Sequence, residues 1–167
     1  MTVPAAQESM FNDTNPLDRH CLLDSGNIAE IKDQVSQHLW SHRMCVPPGK
    51  PLQSRLYGVF FGNAALFDLH YGAEVEIDAG DIASYYLIRI TLQGSGLITL
   101  GKRSASMNAG SLTISSPSER SVIRIGRDCR NLILRIEREA LERQLQRLLE
   151  RPLKQALVFD LEIEADA

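Results

Sequence analysis

The sequence predicts a mainly β domain with flanking helices, its strands antiparallel and curled into a barrel or sandwich. Two observations carry this. Short apolar runs recur through Tyr57–Glu137 about every 8 to 12 residues, the spacing of antiparallel β structure rather than of βαβ units. Glycine and polar pairs punctuate them, at Gly62-Asn63, Tyr71-Gly72, Gly80-Asp81, Gly101-Lys102, Asn108-Ala109-Gly110 and Arg127-Asp128.

In chain order, residues 1–23 mix Pro4, Asn12, Asp13, Asn15 and Pro16 without periodicity and are expected to form a flexible N-terminal arm; one domain is expected over 24–167. Ile28, Ile31, Val35 and Leu39 share a helical face, and Asn27 followed by Glu30 resembles a capping box, so a helix is expected to run until about Trp40. Pro47-Pro48-Gly49 then forces a turn. Strands are expected at 56–61, 64–71, 74–78, 84–93, 96–100, 111–115, 121–125 and 131–137, with 84–93 and 96–100 joined as a hairpin through Gly94-Ser95-Gly96. A closing helix carries Leu141, Leu145, Leu148 and Leu149 on one stripe, and Pro152 stops it. The segment 157–164 alternates like one more strand.

With 167 residues, 44% apolar, the chain can bury a core, and its net charge of −3 excludes a polyelectrolyte that holds nucleic acid by charge alone. Between Lys102 and Lys154 there are 12 Lys and Arg against 6 Asp and Glu, but no aromatic stacking platform accompanies them. No apolar run approaches the ~20 residues of a membrane span. The first residues carry no export signal, and Cys21, Cys45 and Cys129 read as reduced thiols; a cytoplasmic protein without membrane contact is expected.

Catalytic motifs are sparse. G-x-S-x-G, the P-loop and the dinucleotide G-x-G-x-x-G are all lacking, so no enzyme is expected. Of His20, His38, His42 and His70, none forms H-x-H. His38 and His42 stand at i and i+4 but lack a third ligand nearby and read as a surface pair. Neither metal nor cofactor is expected.

Several segments resemble, in order, the N-terminal effector-binding domain of AraC-type transcription regulators, the XylS-like branch that controls aromatic catabolism included. They are Leu69-His70-Tyr71-Gly72 with 74–77, Tyr86 through Gly94, Ala109 through Pro117, Asp128-Cys129, Leu132–Arg135, and Glu139 through Leu145. The resemblance implies a cupin-like, jelly-roll antiparallel barrel with one N-terminal helix and a C-terminal helical element. It implies a small-molecule effector, an aromatic carboxylate by family analogy, and a homodimer, with Leu141, Leu145, Leu148 and Leu149 as its seam. It also implies a C-terminal helix-turn-helix domain outside this chain, through which alone DNA is reached. A cupin-type metal enzyme and a ligand-free interaction module are the alternatives.

For the effector, Trp40, Arg43, Arg55, His70, Tyr86 and Arg89 are the candidate ligand-binding residues. Arginine pairs with carboxylates in two parallel hydrogen bonds, and Trp40 offers a stacking face. Alternation puts Tyr85, Leu87, Arg89 and Thr91 on one face and Tyr86, Ile88, Ile90 and Leu92 on the other. The second face is uniformly apolar and is expected to be the core, which leaves Arg89 either solvated outside or paired with a ligand.

Overall fold

The computed structural model describes Asn15 and residues 17–163; the expected arm lies outside them except for its last part. There a 3-10 turn at Asp18–His20 leads into β1 (Cys21–Ser25), which pairs antiparallel with β3 (Ser54–Phe61). Helix α1 (Ile28–His38) lies between them in sequence and is followed by the short β2 (Arg43–Cys45). Asn27 Oδ1 caps α1, accepting from the N–H groups of Ala29 at 2.9 Å and Glu30 at 3.1 Å. The expected reciprocal bond is relayed: Glu30 accepts from Ser25 Oγ, which in turn accepts from the Asn27 N–H. The helix stops at His38, two residues short of expectation, and buries Ile31 and Val35 while Ile28 stays exposed.

After β3 come β4 (Ala64–His70), β5 (Val75–Asp81), β6 (Tyr85–Gln93), β7 (Ser95–Leu100), β8 (Arg103–Asn108), β9 (Leu112–Ser115), β10 (Arg120–Ile125), β11 (Arg130–Glu137), α2 (Arg138–Leu149) and β12 (Glu162–Ile163). One sheet runs β1-β3-β4-β11-β6-β9-β12 and the other β2-β5-β10-β7-β8, every pairing antiparallel. The expected jelly-roll, cupin-like architecture is present as two facing sheets rather than a closed ring of strands. The core lies between them, Leu69, Leu87 and Ile133 from the first sheet meeting Ile77, Ile98 and Ile123 from the second, with Ile31 and Val35 of α1 plugging one end.

The hairpin expected through Gly94 does not form. β6 pairs with β11 and β9, whereas β7 pairs with β10 and β8, so the Gly94 corner carries the chain from one sheet to the other. β8 has no counterpart in the sequence expectation, because its inward positions are only Ala105 and Met107 between polar neighbours. Among the described residues of the expected terminal strand, only Glu162–Ile163 pairs, with β9; residues before it run as an irregular strap, anchored by Phe159 N–H donating to Ser116 Oγ and Ile114 N–H donating to the Leu161 carbonyl.

Candidate functional site

The two faces of β6 are placed opposite to expectation. Leu87, Arg89 and Thr91 point between the sheets and are buried, Arg89 with only 4% of its surface exposed. Tyr86 looks away from the second sheet and is buried by other means: its hydroxyl donates to Glu142 of α2 and to the Leu157 carbonyl, and its ring meets Phe159 edge-on. α2 and the strap thus cover the Tyr86 end of the apolar face of β6, while Leu92 at its other end stays exposed, and the polar face lines the interior. β11 follows the same rule, since Asn131 and Ile133 point inward beside Thr91 and Arg89.

Between the sheets, under the end of α1, is a cavity of about 50 Å³. Its walls are mainly aliphatic, from Val35, Leu39, Ile77, Ile82, Leu87 and Ile123 among others, and five side chains with polar atoms line it, Arg89, His42, Asn131, Tyr71 and Trp40. Arg89 takes part in no ion pair among the described residues, and its Nη1 is buried without a hydrogen-bond partner. Burial pulls its pKa down to about 10, with Tyr71 and Cys129 nearby acting weakly the other way. It stays a cation at neutral pH. In register it is flanked by Ile133 and by Thr113, whose hydroxyl is likewise buried and unpartnered. An unpaired buried guanidinium costs stability, so the site chemically favours an anion.

His42, 8% exposed, lines the same cavity. Its Nδ1 sits 2.7 Å from the Trp40 carbonyl, and its Nε2 has no partner. Burial lowers its pKa, the Trp40 contact opposes this, and Lys32 adds to the lowering. The unfolded chain therefore binds a proton that the folded chain resists, so stability is held above pH ~6.5 and lost as pH falls through the depressed pKa. His38, also lowered by burial and then by Arg135, acts in the same direction. Urea unfolding of wild type is expected to show stability falling from pH 6.5 to 5, and His42→Gln is expected to flatten that slope; identical slopes would mean His42 does not contribute.

Trp40 closes the cavity. Its indole N–H donates to the Ala79 carbonyl at 2.7 Å and its ring meets Tyr85 edge-on at 5.9 Å. Behind Tyr85, Arg135 lies over the ring at 4.6 Å and donates to the His38 carbonyl at the end of α1. Two of the six expected ligand residues, Trp40 and Arg89, thus meet at one cavity. The other four stand elsewhere. Arg43 is exposed on the edge strand β2 opposite Asp78. Arg55, paired with Asp24, and His70, near the Arg127 carbonyl, border a polar groove on the outer face of the first sheet, with Asp68 and Arg130. Tyr86 lies under the strap. Sequence reasoning missed His42 and Asn131; the second had a signal, since Asn131 occupies the polar phase of β11 just as Arg89 does that of β6. His38 and His42 are not a helical pair, because α1 ends between them.

Residues 31–167 match the family described as the AraC-binding-like domain. The chain belongs to this family. Among curated relatives of the AraC-binding-like domain is the XylDLEGF operon transcriptional activator 3 of Pseudomonas putida, 24% identical over 113 residues, which are 68% of this chain and 34% of that protein. The chain therefore spans about a third of that relative's length. Among solved structures, the AraC-like transcriptional activator CuxR superposes with a TM-score of 0.60 at 11% identity, over 74% of this chain and 48% of that one, a likeness of fold. A cupin-2 domain from Rhodospirillum rubrum aligns at a TM-score of 0.43 and 13% identity, over 57% of this chain and 69% of the other.

Proposed function

We propose that this AraC-binding-like domain senses a small anionic effector between its sheets and passes the signal to a DNA-binding domain outside this chain. The observation that carries the reading is Arg89, a buried cation without an ion-pair partner among the described residues, in a mainly apolar cavity. Such a site favours a carboxylate attached to an apolar body, and an aromatic carboxylate is the class the family resemblance supports. The role is binding rather than turnover, in a cytoplasmic regulator. No described helix is long and apolar enough to cross a membrane.

The cavity, at about 50 Å³, has room for a few waters at ~10–15 Å³ each, not for an aromatic acid. A larger effector must push back a wall that is not sheet, and the longest such stretch runs from Val35 through Leu39 and Trp40 to His42. Binding thereby becomes a shift between closed and open positions of α1, and a coupling of roughly 1–3 kcal/mol is the usual size of such an effect. Thermal melting with benzoate, phenylacetate and fatty acids, each against its matched alcohol, tests the reading. Carboxylates are expected to raise the melting temperature of wild type but not of Arg89→Met; no shift with any acid would defeat it.

The dimer belongs to the same proposal. No residue of α2 is buried, and Leu148 and Leu149 are 73% and 42% exposed, flanked by Arg143 and Arg147. Such a stripe suits a second copy of the helix. Leu148→Glu with Leu149→Glu is expected to yield a monomer by light scattering with an unchanged far-ultraviolet spectrum. Wild type running as a monomer at the same concentration would remove the seam.

A further inference from the structure

The cavity presents two unpartnered atoms of opposite hydrogen-bonding character. His42 Nδ1 lies 2.7 Å from the Trp40 carbonyl oxygen, and a carbonyl only accepts, so Nδ1 holds the proton of the neutral ring. That tautomer leaves a bare lone pair on Nε2, and Nε2 is buried facing no donor. Arg89 Nη1 is the converse, a buried donor with no acceptor. Of the other polar groups of the wall, Tyr71 brings a buried phenol close to Arg89, and the remaining two are engaged. Asn131 pairs with Thr91 Oγ1 at 3.1 Å and its amide N–H reaches Cys129 Sγ, while the Trp40 N–H is donated to Ala79.

We infer that the effector is a carboxylate that also carries a hydrogen-bond donor, a hydroxyl or amino group, across an apolar body. Its carboxylate accepts from Arg89 and its hydroxyl or amine donates to His42 Nε2. A plain acid satisfies Arg89 but seals the imidazole lone pair away from water unpaired, which is how a polar site rejects an analogue lacking the matching group. The inference rests on the effector-binding reading above and adds its second contact.

Titration calorimetry on the chain tests it with benzoate, the three hydroxybenzoates, the three aminobenzoates and the three methylbenzoates, the methyl group standing in for hydroxyl or amine at similar size. At least one hydroxy or amino isomer is expected to bind about tenfold or more tighter than both benzoate and the methyl compound of the same geometry, the worth of one well-placed buried hydrogen bond. In His42→Leu that preference is expected to shrink to about twofold while benzoate binding persists; in His42→Gln, whose amide oxygen still accepts, part of it survives. The wild-type comparison decides by itself if His42→Leu is insoluble. Equal binding of hydroxy, amino and methyl isomers, with binding still lost in Arg89→Met, overturns the second contact and leaves the effector reading standing. A preference that persists undiminished in His42→Leu assigns the donor to another acceptor and also overturns it. Binding of no acid at all defeats the effector reading and the inference with it.

Discussion

Arg89→Met is expected to melt higher than wild type and to lose carboxylate binding altogether. Both effects have one cause. Methionine nearly matches the arginine stem in volume and needs no hydrogen bonds, so the substitution removes a desolvated cation whose Nη1 has no partner. An unsatisfied buried polar group costs ~1–3 kcal/mol, and in a chain of this size each kcal/mol moves the melting temperature by about 2–4 °C. Loss of the cation facing a desolvated carboxylate costs about 2–5 kcal/mol of binding, roughly 30-fold to several thousand-fold. The pH dependence of the stability gain follows from the pKa of about 10. Between that value and the higher range of an ordinary arginine, the unfolded chain holds a proton the folded chain has lost, so wild-type stability rises with pH there. Below pH 10 both states are charged and the penalty is constant. The gain from Arg89→Met is therefore expected to be equal at pH 6 and pH 8. A variant that instead melts lower would show the guanidinium to be a structural tie, and the proposed site would lose its anchor.

The same residue shows how far the sequence was legible. Alternation along β6 divided its side chains correctly into two faces; what it did not carry was which face met the second sheet. The usual rule sends the apolar face inward. Here the apolar face is covered at Tyr86 by α2 and the strap that includes Leu157 and Phe159, elements far along the chain whose docking no local pattern reports, and Leu92 is left exposed. Adjacent strands held a usable hint: Thr91 and Asn131 pair in register, so two polar phases coincide on one side of the sheet. His42 had no such signal. It lies outside any periodic segment, and only its packing beneath Trp40 sets its tautomer and its direction.

Strand positions were legible wherever β-branched and aromatic residues alternate, as in β3 through β7 and β9 through β11. They were not where alternation rests on small residues, as in β8, or where a strand is short and borrowed from a segment of mixed composition, as in β1 and β2. Turn chemistry located the reversals but not the partners. A glycine corner that returns a strand beside its neighbour and one that sends it to the opposite sheet look alike in sequence, because both ask only for positive φ.

Gly94→Ala is expected to be among the most damaging single-methyl additions in the chain. Gly94 has φ +72°, and a Cβ there would come within 2.5 Å of the Asp128 carbonyl carbon and of the Cys129 nitrogen. These are backbone atoms, so no rotamer relieves the contact. Two crossings meet at this point, β6 to β7 leaving the first sheet and β10 to β11 returning to it, and each is held by its own strand pairings. Separating them would shift Cys129 and Asn131, and with them the register of β11 against Arg89. The left-handed backbone alone costs an alanine ~1–2 kcal/mol. Gly62→Ala isolates that share, since Gly62 has φ +60° and nothing within 4 Å of its would-be Cβ. In urea unfolding Gly62→Ala is therefore expected to lose about 1–2 kcal/mol. Gly94→Ala is expected to lose about 4 kcal/mol or more, or to be recovered only as insoluble protein. Equal losses at the two positions would mean that the crossings do not press on each other, and that the corner needs glycine for its dihedral angle alone.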